Sequence, residues 1–215
     1  MVKNIANQGV RKKSLSQSSK EWVKRQLRDP YVIKAHAEGY RARAAYKLLE
    51  IDEKFHVLKS GQNVVDLGCA PGSWCQIAAK RGCKVVGIDL LPCDPLAGVT
   101  FIQGDFTTDK GLAAVMDALG SNLVDVVLCD MAANTVGHKE TDGLRTQALT
   151  ELALDFMHSH LRIGGNFCTK IFMNGLENDA KKQIAMMFER VQLYKPSSSR
   201  SESREIFLVG INRKK

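Results

Sequence analysis

From Asn63 onward, short runs rich in Val, Ile and Leu alternate with longer stretches whose apolar residues recur at helical spacing. Val64-Val65, Lys84–Ile88, Thr100–Ile102, Leu123–Cys129 and Asn166–Phe172 read as buried strands. Trp74–Arg81, Lys110–Leu119, Leu144–Leu161 and Asp179–Arg190, lying between or after them, read as amphipathic helices. Such alternation predicts a parallel sheet covered by helices on both faces, because parallel neighbours need a crossover. Two more β-runs, Val191–Tyr194 and Ile206–Ile211, are joined by the polar loop Lys195–Glu205 without a helical pattern, which predicts an antiparallel hairpin. The expected fold class is α/β and Rossmann-like: a seven-stranded, mostly parallel sheet with an antiparallel C-terminal hairpin strand.

Before Asn63 the pattern is helical. Ala45, Leu48, Leu49, Ile51 and Phe55 form a stripe over Arg41–Phe55. Ser18 and Ser19 are candidate caps for a short helix over Lys20–Arg28, ended by Asp29-Pro30. Residues 1–18 show no apolar period and read as a disordered basic tail, leaving 19–215 as one domain with a helical extension over about 19–58.

Composition narrows the class. In 215 residues no apolar run approaches the roughly 18 needed for a membrane span, so no membrane association is expected. The six cysteines form no C-x-x-C pair, which favours reduced thiols in a cytoplasmic compartment over a metal or disulfide framework. An acid-free stretch from Met1 to Lys20 keeps a mitochondrial-matrix location as the alternative. The net charge is +8, and residues 1–45 alone hold eleven Lys/Arg against three acids. Excess charge gathered on one segment suits a polyanion, because phosphate contacts release counterions; a solvated tail is the plainer reading.

Val65-Asp66-Leu67-Gly68-Cys69-Ala70-Pro71-Gly72 is a strand running into a Gly-rich turn that opens a helix. Glycines let backbone approach a ligand at the carboxyl edge of the sheet. The spacing is G-x-x-x-G, and Asp66 precedes it; that acid repels phosphate and suits a cationic ligand. S-adenosylmethionine fits this chemistry better than NAD does. Asp89, closing the next strand, suits a ribose diol, and Asp105 after the third suits an adenine amino group, although either also reads as a cap or turn residue. Asp130 closes the fourth strand, and Lys170 lies within the apolar fifth, where a lysine needs partners or a task. Taken singly, Lys47 reads as an exposed helix lysine and Glu205 as a strand-edge charge.

With Gly39–Leu48, Val65–Gly72, Asp89-Leu90-Leu91-Pro92, Gln103-Gly104-Asp105-Phe106 and Lys195–Arg200 in this order, the sequence resembles the FtsJ/RrmJ family of RNA ribose 2′-O-methyltransferases from about Trp22 to Lys214. The closest likeness is to the compact branch that methylates a uridine ribose of large-subunit ribosomal RNA. The resemblance implies a class I S-adenosylmethionine-dependent methyltransferase acting on ribosomal RNA, in the assembled 50S-type subunit, as a monomer and without a metal. It places a catalytic tetrad on Lys47, Asp130, Lys170 and Glu205, and cofactor contacts on Gly72, Trp74, Asp89, Asp105 and Asp130, to which the turn adds Asp66 and Gly68. Ser73 and Ala133 depart from the family pattern, which has Gly and Pro there.

The chemistry agrees with that mapping. A ribose hydroxyl must lose its proton as it attacks a sulfonium methyl, and Lys170 is the candidate general base. Burial and the nearby Lys47 ammonium favour a neutral Lys170; Asp130 and Glu205 oppose that while orienting the amine. Otherwise Lys170 steers the hydroxyl for in-line attack. Candidate RNA contacts are Lys24, Arg25, Arg41, Arg43, Arg200 and Arg204, with Trp22, Tyr40 or Tyr46 as candidates to stack on a base, although a core or staple role is the favoured reading of Trp22 and Tyr46. Three other readings compete: a non-catalytic RNA-binding ribosome-assembly factor, an NAD-dependent oxidoreductase, and the same chemistry on transfer RNA or a messenger cap.

Overall fold

The computed structural model describes residues 27–131, 139–173, 175 and 177–215, with side chains in its longest helix described from residue 147. The elements run in the order α1 (Pro30–Ala37), α2 (Ala44–Phe55), β1 (Asn63–Leu67), α3 (Ser73–Lys80), β2 (Lys84–Asp89), β3 (Val99–Gln103), α4 (Asp109–Leu119), β4 (Val124–Cys129), α5 (Lys139–His160), β5 (Leu161–Phe172), α6 (Glu177–Ala185), β6 (Phe188–Tyr194) and β7 (Glu205–Arg213). One seven-stranded sheet results, in the order β3-β2-β1-β4-β5-β7-β6. Strands β1 to β5 are parallel, and β7 enters antiparallel between β5 and β6. The expected α/β sheet with its antiparallel C-terminal hairpin is therefore observed.

Successive strand residues alternate between the two faces. Val65, Val86, Val127 and Phe167 meet α4, α5 and α6 through Val115, Met116, Met157 and Ile184. Val64, Val85, Val126 and Cys168 meet α2 and α3 through Leu48, Ile51, Trp74 and Ile77. The stripe read at 41–55 thus covers the sheet itself, each of Leu48, Ile51 and Phe55 contributing roughly 1.5–3 kcal/mol by burial.

Several boundaries differ from the sequence reading. Asp29-Pro30 starts a helix as well as ending one: Asp29 Oδ1 accepts from Tyr31 N at 3.0 Å as the cap of α1, and Pro30 stands in the first turn, where no N–H is needed. Of the expected helix at 20–28, only Leu27 and Arg28 are among the described residues, and both are helical; the tail 1–18 lies outside them. The helix expected to reach Arg190 stops at Ala185, because Phe188 begins β6 and lays its ring over Gly210, where a Cβ would sit 3.0 Å away. Strand β5 begins at Leu161, five residues early, and pairs there with Val124 before a register shift.

Candidate active site

Strand register assembles the site. Ile88 pairs with Leu67, Leu67 with Cys129, and Cys129 with Thr169. The next residue in each chain is Asp89, Gly68, Asp130 and Lys170, so these four stand side by side across β2, β1, β4 and β5. This row lies at the carboxyl edge of the sheet, at the β1/β4 switch where strand order reverses.

On the β1–β3 side, the acids hold backbone. Asp89 accepts from Ala70 N through Oδ2 (2.9 Å) and from Leu91 N through Oδ1 (2.8 Å), fixing the Gly-rich turn and the loop after β2. Asp105 is exposed, and its Oδ1 takes both Thr107 N (2.9 Å) and Thr107 Oγ1 (2.7 Å). Those Thr107 bonds hold the Asp105 carboxyl below the ordinary carboxylate range. Each carboxylate keeps lone pairs for further donors. Gly68 has φ +68°, and a Cβ on it would lie 2.1 Å from Met131 Cγ; Gly72 has φ +96°, and its Cβ would lie 2.8 Å from an Arg41 guanidinium nitrogen. Only glycine fits both constraints at either position.

Two expected cofactor residues face inward. Trp74 is 2% exposed, and its Nε1 donates to Ala44 O at 2.9 Å, so the indole belongs to the core and only its backbone is open to a ligand role. Asp66 is 1% exposed beneath the turn, where Cys75 Sγ donates to it at 3.2 Å. Burial pushes the Asp66 carboxyl up to about 7. A direct ion pair between Asp66 and a ligand is not what this packing provides.

On the β4–β5–β7 side, the acids hold ammonium groups. Lys170 Nζ donates to Asp130 O at 2.7 Å and lies 3.0 Å from Asp130 Oδ1. Lys47 Nζ lies 3.6 Å from Asp130 Oδ2 and donates to Glu205 Oε2 at 2.9 Å. The four residues expected as a tetrad therefore form one chain: Lys170, Asp130, Lys47, Glu205. Lys47 is 9% exposed and Lys170 7%, so the plain reading of Lys47 as a surface lysine does not hold. Burial pushes the Glu205 carboxyl up, but the Lys47 charge and hydrogen bond, with smaller effects from Ser199 and then Lys170, outweigh it and leave it below the ordinary range. Lys170 Nζ thus lies against Asp130, the residue that follows β4.

Most of the expected RNA contacts are already engaged inside the molecule. Arg41 donates to the carbonyls of Pro71 (2.9 Å), Asp94 (2.7 Å) and Pro95 (2.8 Å) and lies over the Phe101 ring, clasping the Gly-rich turn. Arg43 pairs with Asp29 and the Ser198 carbonyl, and Arg200 donates to Asp29 through Nε (3.1 Å) and Nη2 (3.0 Å). Tyr46 is buried with its hydroxyl on Glu38 (2.8 Å), and Tyr40 packs edge-on against it. Arg204 is exposed. Lys24, Arg25, Trp22 and Ala133 lie outside the described residues; Ser73 opens α3, buried.

Sequence reasoning missed Asp29 and Glu50. Glu50 accepts from Ser197 N (2.6 Å), Ser197 Oγ (2.7 Å) and Ser198 N (2.8 Å), and these bonds hold its carboxyl below the ordinary range against the opposing effect of burial. The one readable signal was Asp before Pro, the pattern of a helix start.

Among the described residues no group of three or more His, Cys, Asp or Glu is arranged to hold a metal, and no helix is long and apolar enough to cross a membrane.

Residues 40–213 match the model of the FtsJ-like methyltransferase family. A protein of Hyphomonas neptunium named ribosomal RNA large subunit methyltransferase E is 50% identical over 93% of this chain and 86% of its own length. One of the same name from Acidiphilium cryptum is 51% identical over 89% of this chain and 85% of its own. A crystal structure of a Plasmodium falciparum chain, solved as a ribosomal RNA methyltransferase, superposes with a TM-score of 0.71 at 36% identity, covering 81% of this chain and 98% of the other.

Proposed function

Because the chain belongs to the FtsJ-like methyltransferase family, we propose that it methylates the ribose 2′-hydroxyl of a uridine in large-subunit ribosomal RNA, using S-adenosylmethionine. The single observation carrying this reading is the register row Asp89–Gly68–Asp130–Lys170, closed by Lys47 and Glu205. It sets carboxylates suited to a nucleoside beside an amine suited to a proton.

The residues present fit the cofactor. Asp89 and Asp105 offer acceptors at the tips of β2 and β3, and Gly68 and Gly72 keep the turn free of side chains. Arg41, the arginine drawn to that turn, has its guanidinium committed to three carbonyls, so it is not positioned to pair a phosphate. A ligand with ribose, adenine and positive charge but no phosphate suits this donor set. Bound there, S-adenosylmethionine would supply an electrophilic methyl group on an already activated leaving group.

The chain's own part is to hold the ribose and move one proton. Lys170 must first give up one ammonium proton to solvent; its Nζ lone pair then receives the hydroxyl proton as the oxygen attacks, with Asp130 fixing that nitrogen through its carboxylate and its carbonyl. Lys47 neutralises Asp130 from the other side and is itself held by Glu205. Positioning of this kind supplies a large part of a methyl transfer, because the attacking oxygen must lie in line. Arg204 and the basic N-terminal segment, with Lys24 and Arg25, supply phosphate contacts that orient the RNA without reading it. The reading has the protein working as a monomer, without a metal, on the assembled large subunit, in the cytoplasm or the mitochondrial matrix.

The test incubates the protein with labelled S-adenosylmethionine and large subunits from cells lacking this enzyme, then maps the label. One uridine ribose labelled at its 2′-oxygen is the expected result. Label on a base overturns the ribose chemistry, and label only in transfer RNA overturns the substrate.

A further inference from the structure

Lys47 and Glu205 are 158 positions apart, yet their side chains meet at 2.9 Å. That contact requires α2 to keep a fixed distance from the loop entering β7. Two carboxylates outside the reacting network supply most of the link, beside the bond from Arg43 to the Ser198 carbonyl. Glu50, on α2, holds the Ser197-Ser198 end of the loop through three hydrogen bonds. Asp29, 8% exposed, lies between Arg43 and Arg200. Arg43 stands one helical turn before Lys47, and Arg200 precedes Glu205 on the loop. The contacts close a ring: Asp29 to Arg43, along α2 to Lys47, across to Glu205, back along the loop to Arg200, and to Asp29.

We propose that Asp29 is a positioning residue for methyl transfer: by pairing both arginines it holds α2 and the 195–204 loop at the separation where Lys47 meets Glu205, and through Lys47 it orients Asp130 against Lys170. The proposal rests on the reading that this network carries the reaction. Two guanidinium groups this close and this poorly solvated repel each other unless an anion lies between them. Asp29 meets that need with one oxygen, Oδ2, while Oδ1 caps α1. Asparagine caps a helix about as well as aspartate does, so Asp29→Asn removes the charge and leaves α1 its cap.

In Asp29→Asn, kcat should fall roughly ten- to hundredfold, as expected for a displaced reacting group, while cofactor affinity stays within about twofold. The deciding readout is the titration of Glu205, followed by carbon-13 NMR of glutamate-labelled protein and assigned with Glu205→Gln. Lys47 chiefly, then a Ser199 hydrogen bond and Lys170, hold that carboxyl down against burial. Opening the ring withdraws Lys47, so the midpoint should rise in Asp29→Asn and rise less in Arg200→Gln. The double variant should go no further than Asp29→Asn, since both act on one ring. If Asp29→Asn does not fold, Arg200→Gln, on the more exposed side of the pair, decides by the same two readouts. A folded variant with unchanged kcat overturns the proposal. So does a fall in kcat with an unmoved Glu205 midpoint, which would make Asp29 merely structural. Should the unsubstituted chain transfer no methyl group, the parent reading fails by itself, and the Glu205 titration still reports whether Asp29 holds the ring.

Discussion

The two halves of the sheet's carboxyl edge satisfy their carboxylates in opposite ways. Along β1–β3, Asp89 and Asp105 accept from backbone or side-chain donors no more than nineteen positions away, Ala70 being the farthest. Along β4–β7, Asp130 and Glu205 are met by ammonium groups from α2 and β5, with up to 158 positions between partners. The first half is a set of local turns. The second is a long-range charge network that exists only when distant elements pack. A binding surface can be built locally, whereas a reacting group must be located by several elements at once.

Separating the two halves by substitution sharpens that contrast, and the largest effect belongs to the network. Lys170→Ala should lower methyl transfer on the order of 10²- to 10⁴-fold, the usual contribution of a positioned acid–base group. Cofactor binding measured by calorimetry should stay close to that of the unsubstituted protein. Equal losses in both would break the division.

Asp89→Ala should do the reverse. It removes an acceptor from the pocket side, and cofactor affinity should weaken roughly 10- to 100-fold, as for a lost hydrogen bond to a charged group. Transfer at saturating cofactor should remain near its original rate. A collapse of kcat at saturation would tie the pocket to the network more tightly than the geometry does.

The smallest effect concerns stability. Asp66 sits beneath the turn with its carboxyl raised to about 7, well above the ordinary value of 3.8. The folded state then binds a proton more tightly than the unfolded chain does, so stability declines as pH rises between those two values and the full penalty is present above the upper one. Asp66→Asn keeps an acceptor for Cys75 and cannot ionise. Its melting temperature relative to the unsubstituted protein should therefore improve from pH 5 to pH 8, by a few degrees. A difference independent of pH would mean that Asp66 is not the titrating group.

The same contrast explains what could be read from the sequence. Strand tips ending in Asp89 and Asp130 were legible because a β-run and the residue after it are adjacent in the chain. Lys170 was legible because an ammonium inside an apolar run demands a partner. The burial of Trp74 and Asp66 was not, since whether the side chains flanking the turn are covered depends on α3 docking over β1. Arg41, Arg43 and Arg200 looked like free phosphate ligands because charge counts ignore pairing, and their acceptors, Asp29 among them, lie up to 171 positions away. Asp29-Pro30 was read as a stop because one dipeptide serves both a helix end and a helix start.

The antiparallel entry of β7 has a consequence for how the molecule comes into being. Strands β1 to β5 and both lysines precede β7 in the chain, and β7, paired with β6 as a hairpin, joins the sheet along β5. The charge network is therefore complete only when β7, which carries Glu205, has joined the sheet beside β5. Competence for the reaction is in this sense a report that the sheet has closed.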